Sequence, residues 1–276
     1  MRLYHEAKPA AHWDPRLLDF TQDAKDWAAL SAPERDLLVR LTALFQIAEE
    51  SMTEDLIPLL KIATEEDRLE EQLFLTTFIA DEAKHTEFFR RVLDETCAES
   101  GDLVRYQTPS FQHLFWEKLP QAMQKLNDDA SPKSQAAGLV TYTLVGEGVL
   151  GEAGYHVFSM ALERRGIMPG YREGLRASQA DEERHMAYGV YRLARLLEED
   201  AGVWDVISDT MDELIPDTLG VVTEFYDPYD PIPFGLSLQG TIEYAMDKFS
   251  GRWQTLEKVR DEYKAAKRGS GATRRP

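Results

Sequence analysis

The 276-residue chain is predicted to be all-α, a four-helix bundle core with additional helices around it. Three observations carry this. Long stretches repeat apolar residues at the i, i+3, i+4 spacing of an amphipathic helix. No stretch sustains period-two alternation of β-branched residues, so almost no sheet is expected. Helix start and stop signals punctuate the chain at intervals that suit long helices.

Residues 1–30 are read as irregular or carrying a short helix, with Trp13, Phe20 and Trp27 as anchors. Ser31, Pro33 and Glu34 form a capping-box start for a helix over about 33–61, which Pro58 kinks or ends. Thr64 and Asp67 open a second helix, running to about Cys97 through Leu69, Leu73, Thr76, Ile79 and Ala83. A third spans about 109–126. Ser131-Pro132 begins a fourth that stops at Gly166, over 132–165. Pro169-Gly170 separates it from a fifth, 171–199, and a sixth covers about 204–225. Asp227 to Pro233 reads as a loop, and a last helix occupies about 238–265. One domain over 1–265 is expected, with 266–276, a basic segment containing Gly269, Ser270 and Gly271, as a disordered tail.

Forty-nine acidic against 31 basic residues give a net charge of −18, which disfavours a nucleic-acid surface. Cys97 is the only cysteine, so no internal disulfide or Cys-based metal site can form within one chain. The start lacks the apolar core of a signal peptide, and the chain reads as cytoplasmic. The apolar stretch 136–162 is long enough to suggest a membrane span. Glu147, Glu152 and His156 interrupt it, so a buried bundle helix is expected instead.

Two segments one hundred positions apart share a pattern: Asp81-Glu82-Ala83-Lys84-His85 and Asp181-Glu182-Glu183-Arg184-His185. Each places a Glu and a His on one helix face at i, i+3. Each follows a helix carrying a Glu in an apolar run, Glu49 before the first and Glu147 before the second. A lone Glu-x-x-His is uninformative in a chain this rich in Glu. Four Glu and two His in the order Glu, Glu-x-x-His, Glu, Glu-x-x-His are the ligand set of a carboxylate-bridged dinuclear metal site in a bundle. Carboxylates are hard, anionic and able to bridge, which suits iron or manganese. Glu49 is preferred to Glu50 and Glu54 because it keeps step with Phe45 and Leu56; Glu152 rivals Glu147. Asp81 and Asp181 are expected to accept hydrogen bonds from the His of the opposite helix pair. The glycines from Gly146 to Gly154 weaken an α-helix and permit close approach or a π-bulge beside the site. His113 and His156 lack a Glu at i−3 and are read as core or surface histidines, with His156 a candidate pocket residue.

These segments, with Phe45 to Asp55, Val140-Thr141-Tyr142 and Met186-Ala187, resemble the ribonucleotide reductase small-subunit-like superfamily, and within it the ligand-binding oxidases that assemble a manganese/iron cofactor on a ferritin-like bundle. The resemblance implies manganese (or a first iron) at Glu49, Glu82 and His85 and iron at Glu147, Glu182 and His185, with Glu82 and Glu182 bridging. It also implies a homodimer and a long-chain fatty acid or similar lipid whose carboxylate reaches the metals through an apolar tunnel. The radical-bearing Tyr of the best-known small subunits is Phe89 here. The Tyr and Val that form an ether crosslink in the oxidases correspond to Tyr142 and Met52. Met has no tertiary carbon, and its thioether oxidises readily. On an ideal α-helix Tyr142 and Glu147 point about 140° apart, so Tyr142 reaches the metals only if the helix is distorted.

The expected function is an oxygen-activating dimetal oxidase catalysing a two-electron oxidation, with Tyr142 and Met52 beside the chemistry. The alternatives are a reductase small subunit lacking a radical Tyr, against which stands a tail, Ala272 to Pro276, without an aromatic, and a ferritin-like metal store or lipid-binding protein.

Overall fold

The structure, a computed structural model, describes residues 1–10 and 13–272. Among these it is all-α, with no strand. The helices are α1 (Arg2–Ala10), α2 (Thr21–Ala29), α3 (Ala32–Asp55), α4 (Ile57–Glu65), α5 (Leu69–Arg91), α6 (Pro109–Gln112), α7 (Leu119–Gln124), α8 (Pro132–Leu139), α9 (Glu152–Phe158), α10 (Pro169–Glu199), α11 (Val203–Tyr226) and α12 (Leu238–Ala272). π-Helical segments extend or join several of them: Val92–Thr96 after α5, His113–Lys118 between α6 and α7, Val140–Gly151 between α8 and α9, and Ser159–Glu163 after α9.

Local chemistry sets most boundaries. The Ser31 backbone N–H donates to the Glu34 carboxylate at 2.8 Å, and the capping box starts α3 as the sequence predicts. The chain breaks at Leu56, earlier than the predicted end near 61, because Pro58 is accommodated in the first turn of α4, where its missing N–H is no loss. Thr64 and Asp67 do not cap the next helix. Asp67 is left-handed (φ 53°) and α5 starts two residues later. Gly166, also left-handed (φ 64°), ends the long helix that begins at Pro132. Residues 1–30 are more helical than expected, and they are tied to the bundle. Asp23 is fully buried, and its carboxylate accepts from the N–H groups of Gly170 and Tyr171, capping α10 from outside. The last helix continues to Ala272, past the boundary expected at 265, through the strong helix formers Lys264 to Arg268. Residues 273–276 of the expected tail lie outside the described residues.

The helices α3, α5, the Pro132–Glu163 run and α10 surround the main apolar core, with Leu37, Leu38, Phe78, Phe88, Phe89, Leu144 and Phe158 buried in it. The 136–162 stretch lies almost wholly in this core, and no helix among the described residues is long and apolar enough to cross a membrane.

Candidate metal centre

The six side chains singled out by spacing converge in the bundle interior, all at most 7% exposed. Glu49 comes from α3, Glu82 and His85 from α5, Glu147 from the π-helical segment, and Glu182 and His185 from α10. Ligand atoms of Glu49, Glu82, His85 and Glu182 lie within 4.8 Å of one another, and so do those of Glu82, Glu147, Glu182 and His185. Glu82 and Glu182 belong to both groups.

The histidines are arranged crosswise. His85 turns Nε2 towards Asp181 at 3.3 Å, and His185 turns Nε2 towards Asp81 at 3.4 Å. Each aspartate sits on the opposite helix. An Nε2–H donated to the aspartate leaves Nδ1 with its lone pair facing the cluster. His85 Nδ1 lies 3.3 Å from Glu182 and 3.5 Å from Glu49. His185 Nδ1 lies 3.1 Å from Glu82 and 3.5 Å from Glu147. The His185 ring stacks on Phe78 at 3.6 Å, which fixes its plane.

Neither Nδ1, neither carboxylate oxygen of Glu82 or Glu147, nor one oxygen of Glu182 makes a hydrogen bond among the described residues. Orphaned buried polar atoms on this scale are costly, and four buried carboxylates without cations are more so. Electrostatics register the same deficit. Burial, with the neighbouring carboxylates, pushes the Glu49 and Glu147 carboxyls well above the usual carboxylate range. Burial also opposes charge on the imidazoles, but Glu49, Asp181 and Glu182 outweigh it and raise the His85 pKa, and Asp81, Glu147, Glu182 and Glu82 do the same for His185. Glu182, despite its burial, is held down to about 2 by the two imidazoles. The site draws in positive charge, and its donor set, carboxylate oxygen plus one imidazole per group, fits a pair of iron- or manganese-type cations.

Three groups around the cluster escaped the sequence reading. Lys84 bridges Asp81 (2.8 Å) and Asp181 (3.2 Å), and Arg184 pairs with the same two aspartates. These cations neutralise the aspartates that orient the histidines. The signal was present, since both motifs carry a basic residue just before the His. Trp13 is the third: its indole N–H donates to Asp181 at 2.8 Å, and Lys84 lies 4.9 Å from the ring centroid. Nothing local in the sequence links positions 13 and 181.

The rival carboxylates point elsewhere. Glu50 is exposed and accepts from Gln46, while buried Glu152 pairs with Arg252 of α12. His113 pairs with Asp217, and His156 stacks on Tyr244 rather than lining the cavity at the cluster. Tyr142 and Glu147 come to the same side because the helix between them is π-helical. Its i→i+5 bonding makes residues five apart stack where an α-helix would separate them. The Tyr142 hydroxyl is fully buried and donates to the Met52 carbonyl at 3.1 Å, while the Met52 thioether lies against Gly146. Phe89 packs between Phe45 and Phe88 and presents no hydroxyl. An apolar cavity leads away from Glu49, Glu147 and Glu182 between Phe45, Met52, Phe115 and Phe225.

Fold and cluster together define a class, the ferritin-like helical bundle with a buried cluster of four carboxylates and two histidines. Within that class the chain belongs to the ribonucleotide reductase small chain family, whose pattern matches residues 2–249. It is similar to an R2-like ligand-binding oxidase with an aerobically reconstituted Mn/Fe cofactor, at 32% identity and TM-score 0.87 over 92% of this chain and 91% of that one. A valine-to-isoleucine mutant of such an oxidase, with an anaerobically reconstituted Mn/Fe cofactor, gives 33% identity and 0.87 over 92% of both chains. A tyrosine-to-phenylalanine mutant, reconstituted aerobically, gives 32% and 0.86 over the same shares.

Proposed function

We propose that the protein is an oxygen-activating oxidase in which Glu49, Glu82 and His85 would hold manganese and Glu147, Glu182 and His185 would hold iron, with Glu82 and Glu182 common to both ligand groups. A di-iron form is compatible with the same donors. The observation that carries this reading is the buried cluster itself, with both Nδ1 atoms and most carboxylate oxygens turned inward without a partner. When bound, the metal pair supplies the reduction of oxygen and the two-electron oxidation that follows.

The protein's own groups do the rest. Asp81 and Asp181 fix the imidazole tautomers, and Lys84 and Arg184 pair with those aspartates in a buried place. Burial of the cluster excludes bulk water. The apolar cavity takes a long-chain fatty acid or similar lipid, its carboxylate at the Glu49, Glu147 and Glu182 end. Tyr142 and Met52 are the oxidisable protein groups beside the chemistry. The Tyr142 hydroxyl is held at the Met52 backbone, and Met52 lines the cavity. A cytoplasmic homodimer is the expected form, checked by solution mass.

Oxygen uptake by the reduced, metal-loaded protein tests the function. Uptake is expected in the wild type and is lost in Glu82→Ala; a loaded protein that takes up no oxygen would refute it. The family match also accommodates a radical-delivering subunit. Phe89 argues against one, and a stable tyrosyl radical signal after oxygen exposure would reinstate it.

A further inference from the structure

The cavity wall carries one polar atom that none of these roles uses. Tyr155, on α9, is 5% exposed, and its hydroxyl is buried without a hydrogen-bond partner among the described residues. The residue lines the cavity together with Glu49, Glu147 and Glu182. Its ring is held edge-on by Phe45 at 5.2 Å. Phe45 in turn fills the space beside Gly154, where a Cβ would lie 2.2 Å from the Phe45 ring, so the ring has little freedom to carry the hydroxyl elsewhere.

The other polar groups of the wall are accounted for. The Tyr226 hydroxyl and Thr241 Oγ1 pair at 2.8 Å, and the three glutamates belong to the proposed metal pair. Burial, and after it the carboxylates of Glu182, Glu49 and Glu82, raise the Tyr155 pKa well above the usual phenol value. The group is a neutral donor close to the carboxylate end of an otherwise apolar space. A buried hydroxyl left unpaired is destabilising, and native proteins rarely keep one without a function.

We propose that Tyr155 donates a hydrogen bond to the oxygen-acceptor head group of an amphiphile bound in the cavity, and acts as the positioning residue that holds that head at the metal end. The proposal rests on the reading of the cavity as an amphiphile site. It adds a neutral contact to whatever the metals supply, and it requires a head group that accepts, such as a carboxylate.

The test uses the full-length, metal-loaded protein and dodecanoate as probe, in the wild type and in Tyr155→Phe. Calorimetric titration is expected to give about tenfold weaker binding in the variant, the value of one lost hydrogen bond. Without ligand, the variant is expected to melt at the same temperature as the wild type or higher, because the hydroxyl has no partner to lose. A purely structural phenol would instead lower the melting temperature. Equal dodecanoate affinity in both proteins overturns the proposal while leaving the cavity reading intact. A lower melting temperature in the ligand-free variant also overturns it. A wild type that binds no dodecanoate overturns the cavity reading and the proposal together.

Discussion

Gly189→Ala tests the packing that brings Glu147 to the cluster without touching any proposed ligand. Gly189 lies on α10, one turn beyond His185, against Thr143 of the π-helical segment. An added Cβ would sit 2.2 Å from Thr143 Oγ1, 2.6 Å from its Cβ and 2.9 Å from its Cγ2. Thr143 is held by its own hydrogen bond to the Leu139 carbonyl at 2.7 Å, and rotation cannot move its Cβ. Carbon contacts need about 3.5 Å, so the two helices must part by roughly 1 Å. Overpacking of this kind costs about 1–3 kcal/mol, and the better helix propensity of Ala offsets about 1 kcal/mol of that. The expected net loss of up to about 2 kcal/mol lowers the melting temperature by about 2–4 °C per kcal/mol in a chain of this size class. The same displacement draws Glu147 away from Glu182 and His185, so the metal on that side is lost first. Thermal unfolding, with metal analysis after dialysis, reads both effects. An unchanged or raised melting temperature with both metals retained would show that Gly189 is not needed for this packing.

Proton linkage gives a second prediction. The metal-free folded state raises the pKa of His85 and His185 above the ordinary value near 6.5, and raises those of Glu49 and Glu147 above 4.5. A group with a raised folded pKa favours folding below its unfolded pKa and loses that contribution as pH rises through the folded value. Above the ordinary carboxylate range, where the depressed Glu182 is already ionised in both states, the metal-free protein should therefore lose stability as pH climbs through neutral, whereas metal affinity rises over the same range because cations displace these protons. Titration calorimetry in buffers of different ionisation enthalpy should detect proton release on metal binding; none would contradict the charge assignment. Asp181→Asn removes the charge that orients His85 and pairs with Lys84, and should weaken metal binding by about 10–100-fold in a chelator competition. Unchanged affinity would deny Asp181 that role. After reconstitution in oxygen, the Met52 peptide is expected to gain an oxygen atom or a link to the Tyr142 peptide, read by mass spectrometry. An unmodified Met52 beside fully oxidised metals would remove it from the chemistry.

The helices and the convergence of the six side chains were legible because periodicity and Glu-x-x-His spacing are local. Glu49, one turn along from Phe45, was pointed inward by its apolar neighbours alone. The relation of Tyr142 to Glu147 was not legible, because angular arithmetic assumed 3.6 residues per turn. The glycines from Gly146 to Gly154 hinted at a π-bulge, yet the actual π-helical segment spans Val140–Gly151. Pro58 breaks the first long helix at Leu56, in keeping with the sequence, whereas the left-handed Asp67 leaves no signal in the Thr64–Asp67 spacing that suggested a helix cap. Contacts between distant segments, Trp13 with Asp181, Asp23 with the start of α10 and Glu152 with Arg252, leave no periodic trace.

The buried cluster is proposed to hold a pair of metals. Anomalous diffraction from crystals of the protein reconstituted with manganese and iron, collected at both absorption edges, tests it most directly. Two peaks are expected, manganese beside Glu49 and His85 and iron beside Glu147 and His185, with Glu82 and Glu182 between them. Density for one metal only, or for metals bound outside these six side chains, would contradict it.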